Sequence, residues 1–247
     1  MRIKAKGLIL LPAYNAEDTI ENAISKILRG LDRLNEAYDI LAINDGSNDE
    51  TSKILKRLSR KNPKIIIKNH SKNIGLAGTL REGYTYAIRK KYRYVIRTDA
   101  DNDQDQREIV IKIAKKMSLA DVVVARRKFP NPQASPESHI KAEITPLINE
   151  LFDLKFYEPA SGNLGVSKDA LKRIMAISFL KNYKRRWAFD ASTIIIAKKM
   201  GFDVDYVNVK GFYDEKRRPV EKIVEQYETY LAVIKELHDS FIRRYRT

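Results

Sequence analysis

The chain has 247 residues, 43% of them hydrophobic and spread along its length, which is enough for one large α/β domain with appendages and too few for two domains and a linker. Its 47 Lys and Arg against 32 Asp and Glu give a formal charge of +15, which suits any polyanionic partner, while the 32% charged content resembles a thermophile's surface. The lack of Cys excludes disulfides and thiolate sites, and no apolar run approaches a membrane span, so the expectation is a cytoplasmic protein, soluble or peripheral at a membrane.

Residues 1–6 are basic, and the apolar run that follows at 8–11 is ended by Pro12, far short of signal-peptide length. That run is the first expected strand; others are expected at 40–43, 65–68, 94–97 and 121–125. Between the first two, Ile20, Ala23, Ile24, Ile27, Leu28 and Leu31 form a helical stripe, opened by an expected capping box of Asp18 and Glu21. After Asp49, the residues Ile54, Leu55 and Leu58 repeat the pattern. Short β-rich runs alternating with amphipathic helices predict a parallel sheet wrapped by helices. Beyond a Pro-rich segment at 129–136 the helices lengthen. One stripe runs through Ile140, Ile144, Leu147, Ile148 and Leu151. A second runs through Ile223, Val224, Tyr227, Leu231, Ile234, Leu237 and Phe241, with Arg243, Arg244 and Arg246 after it. Both read first as core-packing helices and second as feet on a membrane surface.

In open parallel sheets the ligand lies beyond the carboxyl ends of the strands, and those ends are polar here. The first strand runs into Pro12, Ala13, Tyr14, Asn15 and Glu17. The second runs into Asn44, Asp45, Gly46 and Ser47, and the fourth into Thr98, Asp99, Ala100, Asp101, Asn102 and Asp103. Three Asp at alternating positions repel one another unless a cation sits among them, and oxygen ligands in an open site suit Mg²⁺ or Mn²⁺. The bland alternative is an acidic turn capping a helix that begins near Gln104. His70 and His139 each lack a second ligand at metal spacing, which favours structural roles. Neither a GxGxxG nor a P-loop follows the first strand. Basic residues are scattered through most helices instead of grouped with aromatics, so no nucleic-acid partner is expected.

Leu11-Pro12-Ala13-Tyr14-Asn15 with Glu17 and Ile20, Ile43-Asn44-Asp45-Gly46-Ser47 with Asp49 and Thr51, and Asp99-Ala100-Asp101 resemble, in order and spacing, the motifs of family 2 glycosyltransferases with the GT-A fold. Asn73, Gly75 and Gly83 fit as well. Asn44 stands where the family usually has Asp, and Arg81 stands one place from the usual Arg. The resemblance implies a Rossmann-like, mostly parallel sheet flanked by helices. It implies a donor half over residues 1–127 and an acceptor half over 128–247 that is helical and ends in an amphipathic helix. The donor would be a GDP- or UDP-linked sugar framed by Pro12, Tyr14, Asn15 and Glu17, with Asn44 and Asp45 toward the base and Asp99 toward the ribose. A Mg²⁺ or Mn²⁺ ion would sit on Asp101 and Asp103.

Within the family, residues 121–127, 158–163 and 218–222 resemble the polyprenyl-phosphate sugar synthases, although Asn163, Pro219 and Glu221 depart from their pattern. This likeness implies a lipid-phosphate acceptor, held by Arg126, Arg127, Arg218 and Lys222, and contact with an anionic membrane. A phosphate monoester is already an anion at pH 7 and needs cations, not a base. A sugar hydroxyl needs a carboxylate, for which Asp190 is placed; its bland reading is a helix N-cap. A catalytically silent sugar-nucleotide binder would carry the same motifs.

Overall fold

Aliphatic runs bounded by Gly, Asn and Asp place the strands, and the amphipathic stretches between them place the helices. The computed structural model describes residues 7–101, 105–128, 136–157, 161–177, 188–210 and 220–245; of the side chains at 136–143, 220, 222, 223, 226 and 241–245 nothing is described. In chain order the elements are β1 (Gly7–Ala13), α1 (Ile20–Leu31), β2 (Tyr38–Asn44), α2 (Thr51–Lys61), β3 (Ile65–Asn69), α3 (Leu76–Lys90), β4 (Tyr94–Arg97) and α4 (Gln106–Lys116). They continue with β5 (Val122–Lys128), α5 (Pro136–Phe152), β6 (Leu164–Ser167), α6 (Lys168–Met175), α7 (Phe189–Lys199), β7 (Val204–Lys210) and α8 (Val220–Tyr245).

The strands form one sheet in the order β3-β2-β1-β4-β6-β5-β7. All are parallel except β6, which runs antiparallel between β4 and β5. The expected mostly parallel sheet is present, and its five expected strands are β1 to β5. β6 and β7 are additions. β6 is four residues long with a Gly inside it, too short to carry a periodicity, and it becomes a strand because both neighbours pair with it, Leu164 standing opposite Arg97 and Val124. β7 lies at the sheet edge, where only Val204 and Val209 of its residues are buried.

β1 is buried along its whole length, as a strand covered on both faces must be. Leu8 and Leu10 look into one layer with Leu80 and Tyr84 of α3, Ile148 of α5 and Ile234 of α8. Ile9 and Leu11 look into the other, with Ile24 and Ile27 of α1, Leu55 of α2 and Ile113 of α4. Strand period two thus divides the core between two helical layers.

The expected capping box does not form. Thr19 is the N-cap of α1 and makes no side-chain cap bond, while Glu21 is taken by Arg57 of α2 through two hydrogen bonds of 3.0 and 2.6 Å. A guanidinium across the helix pair outcompetes the backbone N–H for that carboxylate. The packing reading of the two late stripes holds where they are described. Ile144, Ile148 and Phe152 of α5 are buried, as are Tyr230, Val233, Ile234 and Leu237 of α8, and Phe152 meets His238 edge-on at 5.9 Å. The buried face of α8 is turned from the expected one: Tyr230 and Val233 point inward, Leu231 is half-buried, and Val224 is 48% exposed. No helix among the described residues is long and apolar enough to cross a membrane.

Candidate functional site

Because β1, β2 and β4 are parallel, their carboxyl ends deliver the loops after Ala13, Asn44 and Arg97 to one edge of the sheet. A cleft of about 380 Å³ opens there. Pro12, Ala13, Tyr14, Asn15, Ala16 and Thr19 line it, with Asp45, Leu76, Thr79, Asp99, Ala100 and Asp101. Six of the predicted site residues, Pro12, Tyr14, Asn15, Asp45, Asp99 and Asp101, are brought together in its wall.

The first two loops lock each other. Asn15, in the left-handed region at φ 47°, donates its N–H to Ser47 Oγ and accepts the Asn48 N–H on Oδ1. Ala16 N–H donates to Thr51 Oγ1 at 2.8 Å, Glu17 N–H to Asp49 Oδ2, and Glu50 N–H to Glu17 Oε2 at 2.9 Å. Asn15 and Glu17 therefore spend their side chains on the second loop and shape the cleft through its backbone. Gly46 sits at φ 68°, where a Cβ would overlap the backbone of Lys72 and Asn73, so a third loop closes on the same corner.

Asn44 is buried beneath this corner. It donates to Asn69 Oδ1 and accepts from the N–H and hydroxyl of Ser47. Asp45 is 4% exposed, and its carboxylate accepts the N–H groups of Ile74 and Gly75, each at 2.9 Å. His70 bridges Asp45, at 2.8 Å from Nδ1, and Glu82, at 2.6 Å from Nε2. Burial works to lower the pKa of His70, but the two carboxylates outweigh it and the net shift is upward. The expected structural role of His70 is what its bonds show.

In the fourth loop the helix cap is Asp105, whose carboxylate accepts the Arg107 N–H, so Asp99 and Asp101 are left to the cleft. Asp103 lies outside the described residues. The expectation that a metal must relieve the acidic run needs one correction: the cation beside Asp99 is Arg97. Its guanidinium grips both Asp99 oxygens at 2.8 Å while being only 1% exposed, and it lies 3.5 Å from Asp190. Gln106, also 1% exposed, donates to the carbonyls of Asp99 and Asp101 at 3.2 and 2.6 Å. Asn163, from the loop before β6, accepts the Thr98 hydroxyl at 2.6 Å and the Asp99 N–H at 3.4 Å.

Asp190 does not cap α7, whose N-cap is Ala188; it lies one residue inside the helix, 5% exposed. Burial raises its pKa to about 6; Arg97 opposes the rise and Asp99 adds to it. It does not line the cleft. Arg126 is exposed at the carboxyl half of β5, its guanidinium 5.2 Å from the ring centre of Tyr157, and Arg127 beside it is half-buried. Arg218 lies outside the described residues, and Lys222 is placed only by its backbone, on the first turn of α8.

Arg97 and Gln106 are the residues that a reading of the sequence passes over, and Asn163 is marked there only as a departure from a family pattern, without a role. Only Arg97 leaves a signal, as a charged residue closing an otherwise apolar buried strand two positions before Asp99.

Among the described residues no group of three or more His, Asp or Glu is placed to hold a metal ion. Mg²⁺ commonly takes one or two carboxylates and completes its shell with phosphate oxygens and water. Asp101, partly exposed on the cleft wall, fits that kind of site.

Comparison with known proteins places this geometry. An uncharacterized protein of Methanocaldococcus jannaschii is 30% identical over 218 residues, 84% of this chain and 89% of its own length. A dolichyl-phosphate beta-glucosyltransferase of Trichomonas vaginalis is 23% identical, over 82% of this chain and 64% of its own, so the chain spans under two thirds of that relative. The fold is shared by glucosyl-3-phosphoglycerate synthase from Mycobacterium tuberculosis, solved with Mn²⁺, UDP and glucosyl-3-phosphoglycerate. The TM-score is 0.73 at 14% identity, covering 95% of this chain and 80% of that one. The profile of glycosyl transferase family 2 matches residues 8–175, and with the motif loops converging on one GT-A cleft the chain belongs to that family.

Proposed function

We infer that this chain is a metal-dependent, inverting glycosyltransferase that moves a hexose from a GDP- or UDP-linked donor to a polyprenyl phosphate. The observation that carries the donor assignment is the cleft at the sheet edge, with Asp45, Asp99 and Asp101 fixed in its wall by bonds from Gly75, Arg97 and Gln106. Pro12, Tyr14 and Asp45, which line the cleft, would frame the nucleoside. The amino end of α3, at Leu76 and Thr79, brings the positive end of a helix to the same space, which favours phosphate. A Mg²⁺ or Mn²⁺ ion held through Asp101 and Asp103 would offset the charge gathering on the departing diphosphate. The acceptor oxygen attacks the anomeric carbon from the face opposite the diphosphate. The bond to the diphosphate oxygen breaks with its electron pair, and the centre inverts.

The acceptor reading rests on the surface around that edge. Tyr14 (39% exposed), Ile74 (47%) and Tyr157 (60%) are large side chains left in solvent, Tyr157 against Arg126, and Lys128 and Lys210 are exposed at the ends of β5 and β7. An apolar rim with a cationic mouth suits a lipid that carries a phosphate, and several of the relatives are named for dolichyl-phosphate. An anionic phosphate oxygen needs no proton removed. A second reading, transfer to a hydroxyl, is favoured by the fold likeness to the glucosyl-3-phosphoglycerate synthase.

Screening nucleotide sugars with Mn²⁺ for a rise in melting temperature identifies the donor, since a bound ligand stabilises by mass action. With that donor, Arg218→Ala and Lys222→Ala should each cost roughly 1.5–3 kcal/mol in polyprenyl-phosphate transfer, the value of a charge-assisted contact. Full activity in both variants, together with transfer to a hydroxyl acceptor, overturns the lipid-phosphate assignment.

A further inference from the structure

Arg97 is the largest fully buried side chain of the described residues, and nothing about the sheet requires a cation there. An unpaired buried charge is among the most costly features a core can hold, so its partners matter. They come from both halves of the chain. Asp99, two residues on, takes both guanidinium Nη atoms in a fork, and Asp190 of α7 lies 3.5 Å from Nη2. Asp99 is one-third exposed and lines the cleft, whereas Arg97 and Asp190 are buried and do not. The Asp99 backbone is fixed as well, its carbonyl by Gln106 and its N–H by Asn163. Gly162 is packed so closely on this pair that a Cβ would overlap Arg97 Nη1 and lie 2.5 Å from Asp99 Oδ2.

We propose that Arg97 is a positioning residue of the donor site, holding the Asp99 carboxylate rigid at the cleft wall, and that Asp190 is its rear counter-ion and not a general base. The proposal rests on the donor-binding reading above. The arrangement explains why Asp190 is acidic yet inaccessible: its Oδ2 faces Arg97, and its Oδ1 is buried without a hydrogen-bond partner, as are Arg97 Nε and the Tyr84 hydroxyl. A base must reach the proton it abstracts, directly or through one water. Asp190 is buried against Arg97 and is not part of the cleft wall. Rigidity at Asp99 is what a planar fork supplies and an ammonium does not, because Lys is a point charge with three rotatable donors.

The test compares wild type with Arg97→Lys, Gly162→Ala and Asp190→Asn. UDP and GDP binding with Mn²⁺ is measured by calorimetry, turnover with the identified donor as a function of pH, and amide hydrogen exchange at Thr98, Asp99 and Ala100 by NMR without ligand. Arg97→Lys should weaken nucleotide binding tenfold or more and speed exchange at those amides by a similar factor. Gly162→Ala, which displaces the pair without removing a charge, should do the same in milder form and covers the case in which Arg97→Lys does not fold. Asp190→Asn should lower turnover less than tenfold and leave the pH profile in place. Loss of a hundredfold or more in turnover with unchanged binding in Asp190→Asn, or wild-type binding and exchange in both other variants, overturns the proposal. If wild type binds neither nucleotide, the donor reading fails, and with it any role at a donor site; accelerated exchange in Arg97→Lys would then show a structural clamp only.

Discussion

Two residues carry predictions of their own. Asp101 projects from a loop whose backbone is held by Gln106, and its side chain is only partly buried, so removing it should leave the fold intact. Asp101→Ala is expected to abolish metal-dependent nucleoside diphosphate binding in calorimetry while moving the melting temperature little. Undiminished binding, or equal binding in EDTA, counts against the metal assignment. His70 has a folded pKa raised above its ordinary value of 6.5, so its contribution to stability is fully present below that value and is lost as pH rises through the folded pKa. Glu82 has a pKa below its ordinary 4.5, since Lys68 and His70 outweigh burial, so its contribution is present above that value and fades in acid. The melting temperature of wild type relative to His70→Gln should therefore be highest between these limits and shrink from pH 6 to pH 8.5; a constant difference would refute the bridge. The site residues legible in the sequence are those at strand ends, where position alone predicts proximity. The role of Asn163 was not legible from its departure from the family pattern, because it lies in a bond to Thr98 across 65 residues and no local pattern marks such a contact.

The elements were legible where burial is two-sided and continuous, as in β1, β2 and β4, whose apolar runs leave no alternative to a central strand. They were not where neighbours impose the conformation, as for β6, or where the helix is long enough to choose among faces, as for α8. Loop geometry was legible only as composition. Gly46 shows what composition omits, since both its positive φ and its contact with the backbone of Lys72 and Asn73 forbid a side chain. Gly46→Ala is expected to cost about 1–2 kcal/mol from the left-handed backbone alone, with more from displaced loops. At about 2–4 °C per kcal/mol for a chain of this size, differential scanning calorimetry resolves that loss. Nucleotide affinity should fall with it because Asp45 is next in the chain.

At the scale of the molecule, the charge of +15 supplies attraction but not direction. Direction would come from the exposed side chains Tyr14, Ile74 and Tyr157, the last of them against Arg126. Sedimentation with vesicles of anionic lipid should show binding that weakens with salt, and the paired change Ile74→Ser and Tyr157→Ser should reduce it several-fold; binding unaffected by both changes would remove the apolar rim from the membrane reading. The seven-stranded sheet itself interleaves the two halves, because β6 from the second half lies between β4 and β5 of the first. During synthesis β5 therefore emerges long before the strand that must separate it from β4, and the two, being parallel, offer each other open edges. Ribosome-bound chains long enough to expose residue 150 should be cleaved by protease around β4 and β5, while chains long enough to expose residue 210 should resist. The interval in which residues 129–167 are translated then becomes the time available for mispairing, so codon choice across that stretch should govern the yield of soluble protein.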